Sequence, residues 1–185
     1  MSKTINLISK EVSECTKCSL ARHRKQPVFG TGSVNADLMF IGEAPGAEED
    51  RLGVPFVGRS GKLLDNLLLE EMNMDRSACY ISNVVKCRPP ENRNPKSEEI
   101  ESCRPYLETQ LEIIKPRVII TLGNFATRLL LDTKIGITEL RGKKYEYLGC
   151  ILIPTFHPAA ALRGRVGVIE NMRADLRKAK EIING

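Results

Sequence analysis

The sequence predicts an α/β fold: a parallel sheet covered by helices on both faces. Two observations carry this. Short apolar runs bounded by Gly, Pro or Asn alternate with segments whose apolar residues recur at helical spacing. Such alternation builds strand–helix–strand crossovers, whose strands lie parallel and buried. Three polar or glycine-rich segments also fall at the carboxyl ends of the expected strands, where open α/β sheets form their ligand sites.

Each element has a local cause. Residues 37–42 are an apolar run that ends at Gly42 with Pro45 close behind, a buried strand entering a loop. Residues 61–72 place Leu at helical intervals, and residues 79–85 read as a second strand. Residues 98–115 form a long amphipathic helix, with Ser97 positioned to cap it and Pro116 to stop it. Residues 117–123 are a third strand, followed directly by a helix over 124–131. Residues 145–154 carry one or two strands around a turn at Leu148 and Gly149, and residues 169–183 form a basic amphipathic helix. The strand ends then present Gly42, Glu43, Ala44, Pro45 and Gly46 after the first strand, Asn83 near the end of the second, and His157 with Pro158 after the last.

The bulk numbers bound the class. A chain of 185 residues with 42% hydrophobic content fits one domain, residues 1–185, with a real core. No apolar run reaches the roughly 18 residues that a membrane span needs. The N-terminus lacks the apolar stretch and cleavage site of a secretory signal, so a cytoplasmic location is expected. The formal net charge of +5 suits a polyanionic partner without demonstrating one.

Six cysteines stand out: Cys15, Cys18, Cys79, Cys87, Cys103 and Cys150. Cys79 and Cys150 sit inside apolar strands and read as core thiols. Cys15 and Cys18 form a C-x-x-C pair in polar surroundings. Cys87 and Cys103 flank fifteen residues that include a turn-rich loop. Four thiolates so arranged suit an iron–sulfur cluster or a structural zinc, and spacing does not separate the two.

Their neighbours resemble the family 4, iron–sulfur uracil-DNA glycosylases along nearly the whole chain. The matching pieces are Cys15-x-x-Cys18, residues 42–46 with Glu49 and Asp50, residues 55–64, residues 83–90 with Asn92 and Arg93, Cys103, Leu122 with Gly123, and residues 157–159 with Leu162 and Arg163. The resemblance implies a three-layer α/β/α sandwich with a central four-stranded parallel sheet. It implies a 4Fe–4S cluster on Cys15, Cys18, Cys87 and Cys103. It implies hydrolysis of the N-glycosidic bond of a deoxyuridine flipped out of double- or single-stranded DNA.

That chemistry assigns roles. Phe56 offers a flat face for the base. The Asn83 amide carries a donor and an acceptor that match uracil N3–H and O4, a pattern cytosine reverses. His157 would donate to uracil O2 as negative charge develops there, a contact whose loss typically costs ~2.7–4 kcal/mol. Gly42, Glu43 and Ala44 would line the pocket through their backbone, with Glu48 close enough in sequence to contribute. Ala44 stands where broader members of the superfamily carry Asp or Asn, so Glu43 is the nearest carboxylate able to activate water. Leu162 would fill the gap left in the duplex. Arg163, Arg165, Lys86, Arg88 and Arg93 would hold phosphates. The basic face of the last helix reads as solvated surface. The resemblance admits a sliding clamp as partner, although no clamp-binding peptide is evident, and a monomer is the default. The rival reading is an iron–sulfur module that binds nucleic acid or senses redox state without cutting anything.

Overall fold

A computed structural model describes residues 4–185; residues 1–3, the head of the expected cytoplasmic start, lie outside the described residues. The described chain begins with helix α1 (Ile5–Ser13), whose first turn is capped by the Thr4 hydroxyl accepting from Leu7 N–H. Strand β1 (Thr31–Gly32) and strand β2 (Leu38–Gly42) follow, then helices α2 (Ala47–Leu52) and α3 (Arg59–Leu67). A wide helical turn over Leu68–Met72 extends α3 and ends at Asn73 in the left-handed region. Next come strand β3 (Tyr80–Asn83), helix α4 (Ser97–Ile114), strand β4 (Val118–Leu122), and helices α5 (Asn124–Leu130) and α6 (Ile137–Leu140). Strands β5 (Tyr145–Tyr147) and β6 (Cys150–Thr155), then helices α7 (Pro158–Leu162) and α8 (Val168–Asn184), complete the chain.

The sheet runs β1-β3-β2-β4-β6-β5. The four central strands are mutually parallel. They are the four strands the resemblance implies. The sheet nevertheless has six, because β1 and β5 add antiparallel edges that shield β3 and β6. Alternate strand residues feed two separate cores. Met39, Ile41, Tyr80, Ile119 and Leu152 pack with Ile8, Val12, Leu107 and Leu111, so α1 and α4 cover that face. Leu38, Phe40, Ile81, Ile120 and Ile153 pack with Leu64, Leu68, Met172 and Leu176, so α3 and α8 cover the other. Every residue of β2, β3 and β4 is buried, as strands covered on both faces must be.

Two helix ends differ from expectation. Ser97 is the first helical residue of α4 rather than its cap. Lys96 takes the cap position, its backbone N–H donating to the Glu99 carboxylate at 2.8 Å. The basic face of α8 is partly engaged: Arg173 and Arg177 each bond the Glu71 carboxylate at 2.5 Å, and Lys178 donates to the Gly142 carbonyl at 2.9 Å. These bonds, with the buried Arg141–Asp175 pair, fasten α8 to the body.

Candidate base-binding slot and cysteine nest

The parallel register sets Gly42 of β2 beside Asn83 of β3. A Cβ at Gly42 would strike the Asn83 Oδ1 and come within 2.7 Å of the Phe56 ring. The absence of a side chain at 42 is therefore what allows an amide and an aromatic face to share one space. Asn83 is 1% exposed, and its Oδ1 is buried without a hydrogen-bond partner. A buried acceptor left unmatched is destabilising by about 1–3 kcal/mol, so in a native fold it requires an explanation.

Phe56 is buried and holds φ at 51°, an unusual backbone for an aromatic residue. Two charged side chains hold it there. The Glu49 carboxylate accepts from Val57 N–H at 3.0 Å and Gly58 N–H at 2.9 Å. The Arg76 guanidinium donates to the Phe56 carbonyl at 3.0 Å and the Pro55 carbonyl at 2.7 Å. Gly61 packs directly on the Phe56 carbonyl, where any side chain would collide.

His157 caps α7, and its ring lies 5.7 Å from the Phe56 ring, tilted by 34°. Its Nδ1 accepts from Ala159 N–H at 3.1 Å, which places the proton of the neutral ring on Nε2. Burial lowers its pKa to about 4, helped by the nearby charge of Arg163 and opposed by Glu49. His157 is thus a neutral N–H donor near neutral pH. Burial also raises the pKa of Glu43, which directly follows Gly42. Ala44 is half-buried beside it. Glu48 stands outside the slot: it is exposed and paired with Arg51 at 2.8 Å. The inner position belongs to Glu49, one residue on.

On the opposite face of the sheet, Cys15, Cys18, Cys87 and Cys103 line one cavity together with Lys17, Arg24, Lys86 and Tyr106. Among the described residues no set of three or more His, Cys, Asp or Glu is arranged to hold a metal ion. The four sulfurs nevertheless converge on a shared space beside cations, a donor set that fits a thiolate-ligated group. Burial raises the Cys87 thiol and pushes Cys103 up to about 11. Arg24 donates to Cys87 Sγ at 3.1 Å and to the Ser13 carbonyl at 3.1 Å. Cys79 lies buried just before β3 and Cys150 buried at the start of β6, away from this cavity.

Four arginines and a lysine are the candidates for phosphate contact, and they divide. Arg93 is committed to Glu99 through two bonds of 2.9 and 2.7 Å. That carboxylate is fully buried and also accepts from Ser19 at 3.1 Å, and its pKa is held down to about 2, chiefly by Arg93. It ties the Cys18 segment, the Arg93 loop and the start of α4 together. Lys86 is 1% exposed and cannot reach a phosphate. Arg88 bonds the Asn92 side chain at 2.8 Å in an accessible loop, and Arg163 and Arg165 are exposed beyond α7. Leu162 is 40% exposed beside Arg163. Val166, four residues beyond Leu162, is the most exposed large apolar residue among the described residues and lies between Gly164 and Gly167, both at positive φ.

Glu49, Arg76, Glu99 and Arg24 are site residues that sequence reasoning leaves without a role. Glu49 lies in a matched motif, but each of the four acts on a partner 8 to 80 residues away, which spacing alone does not reveal.

A parallel sheet that ends in a buried amide, an aromatic face and a neutral imidazole defines an α/β protein with a slot at the carboxyl ends of its strands. Residues 29–181 match the family model of the uracil DNA glycosylase superfamily. The type-4 uracil-DNA glycosylase of Sulfurisphaera tokodaii is 43% identical over 97% of this chain and 84% of its own length. That of Thermotoga maritima is 44% identical over 97% of this chain and 94% of its own. A type-5 enzyme of Pyrobaculum aerophilum is 31% identical over 83% of this chain and 75% of its own. The chain belongs to the uracil DNA glycosylase superfamily and to its type-4 branch.

Proposed function

We propose that this protein is a uracil-DNA glycosylase that hydrolyses the bond between uracil N1 and deoxyribose C1′, releasing uracil and leaving an abasic site. The observation that carries the reading is the buried, unpartnered Asn83 Oδ1 beside the Phe56 ring. Uracil N3–H supplies the missing donor, and its planar ring suits the aromatic wall. A duplex buries that edge, so the base must leave the stack to reach the slot.

Four of this chain's groups then act on the flipped nucleotide. Asn83 reads N3–H and O4. Phe56 stacks on the ring. His157, neutral and protonated on Nε2, donates to O2 as the bond breaks and negative charge collects there, so it acts mostly on the transition state. Glu43 positions the water that captures the sugar cation, and the main chain at Gly42 and Ala44 lines the slot. Leu162 fills the vacated stack while Arg163 and Arg88 hold phosphates. We assign Cys15, Cys18, Cys87 and Cys103 to a 4Fe–4S cluster. When bound, it would supply a four-way crosslink between the segments that carry these cysteines and no electrons to the hydrolysis. Double- and single-stranded uracil-containing DNA are the expected substrates, acted on by a cytoplasmic monomer.

The test is a labelled duplex with one U opposite G, treated with alkali after incubation, beside a T·G duplex and an Asn83→Ala control. A break confined to the uracil strand and lost in the variant is expected. Intact uracil strands from brown, iron-loaded protein would overturn the reading and favour a binding module without catalysis.

A further inference from the structure

Lys86 is a fully buried cation with no carboxylate among its hydrogen-bond partners in the described residues, and the proposed function gives it no role. Its ammonium donates to Ser82 Oγ at 2.6 Å, Gln110 Oε1 at 2.6 Å and the Asn83 backbone carbonyl at 2.8 Å. Three donors meet three acceptors, the complement of a protonated amine. The acceptors are themselves fixed. Gln110 Nε2 donates to the Phe29 carbonyl at 2.9 Å and to the Tyr80 hydroxyl at 3.1 Å, and Ser82 Oγ reaches the same Phe29 carbonyl at 2.9 Å.

The direction of this grip matters. Asn83 turns its amide toward Gly42 and Phe56, on the slot side of the sheet. Lys86 holds the same residue from the cysteine side, through its backbone. The main-chain N–H of Lys86 donates to Cys103 Sγ at 3.3 Å, and Gln110 stands on α4 with Cys103. A single residue therefore touches both the nest and the strand end that carries the amide.

We infer that Lys86 is a positioning residue: its ammonium fixes the peptide of Asn83, and so the angle at which the amide meets uracil. The inference rests on Asn83 being the uracil reader. Burying a charge is destabilising unless every one of its hydrogen bonds is made, so the ammonium cannot shift without losing partners. An apolar core at this position would leave the strand end free to rock. The charged clasp makes one orientation much more favourable than its neighbours.

The test is Lys86→Met in the iron-loaded, full-length protein. Met keeps most of the volume and the backbone bond to Cys103, so iron content and visible absorbance should match the parent. Inhibition by free uracil should weaken about 10-fold or more, as expected for a lost charge-assisted hydrogen bond. The kcat for excision should fall with it, while affinity for a duplex already carrying an abasic site stays unchanged. A purely structural role would lower thermal stability and leave the uracil inhibition constant of the folded fraction where it was; that result overturns the inference. Should Lys86→Met not fold, Ser82→Ala decides. It removes one of the three acceptors, and must weaken uracil inhibition without altering abasic-site affinity. Unchanged inhibition in Ser82→Ala overturns the inference. A parent protein that neither excises nor binds uracil overturns the proposed function instead.

Discussion

The slot and the nest occupy opposite faces of one sheet and are completed by different means. The slot is finished by the polypeptide. Glu49 and Arg76 fix the Phe56 turn, the Ala159 N–H orients His157, and the Asn83 Oδ1 stands open. In the nest, burial raises the Cys87 thiol and pushes Cys103 up to about 11, beside the cations Arg24 and Lys86. A guest that takes the cysteines as thiolates converts that unfavourable burial into ligation. If the proposed cluster is bound there, the difference teaches that shape in the slot is set at folding, whereas order in the nest also draws on the bound group.

The sharpest way to break this comparison is Cys87→Ala. The variant should lose the iron–sulfur chromophore and amide-exchange protection over residues 15–24 and 87–96, yet keep protection at 55–58 and 83. Equal loss at both places would mean the slot is not self-sufficient. Next in size, Asn83→Ala should reduce kcat/KM for uracil excision by roughly 1,000-fold, since a site built to bond a polar edge loses most of its discrimination without it. A loss below ten-fold would remove Asn83 from the centre of the slot.

His157→Ala should lower kcat by ~100-fold or more with a smaller effect on KM, the signature of a donor used mainly in the transition state. The parent's pH profile sharpens the point. With a folded pKa near 4, the ring stays neutral well below the ordinary 6.5. Excision should therefore show no inflection at pH 6.5. The unfolded chain takes up this proton first, so stability should fall as pH drops from 6.5 toward 4. An activity limb at 6.5 would contradict the buried, neutral histidine.

Smallest is Arg76→Ala, which frees two carbonyls but leaves Glu49 in place. About a ten-fold loss in kcat/KM is expected, with little change in iron content. No loss would mean that Glu49 alone holds the aromatic wall.

The same contrast explains what could be read from the sequence. Strands β2, β3, β4 and β6 and helices α4 and α8 were legible because burial on two faces, or on one, writes apolar periodicity into the chain. Helices α2 and α7 have six and five residues and β1 two, too few to establish a period, and α1 buries only Ile8 and Val12. Gly42, Phe56, Asn83 and His157 could be placed because strand ends and motif order mark them. Their supports could not. Glu49, Arg76 and Glu99 are charged residues whose partners are distant in sequence, and such residues read as solvated surface. Sequence reasoning places Lys86 and Arg93 on DNA for that reason, and prefers Glu48 to Glu49 although only Glu49 faces inward.

Gly42 and Gly61 carry a consequence for anyone wishing to retrain this slot toward another base. A side chain at 42 meets the amide and the ring together, and one at 61 meets the backbone of the ring's own residue. Neither position offers a first step toward altered selectivity. A search through single substitutions will find its productive starting points at Asn83 and Phe56 themselves, with changes at the two glycines becoming accessible only after those side chains have shrunk or moved.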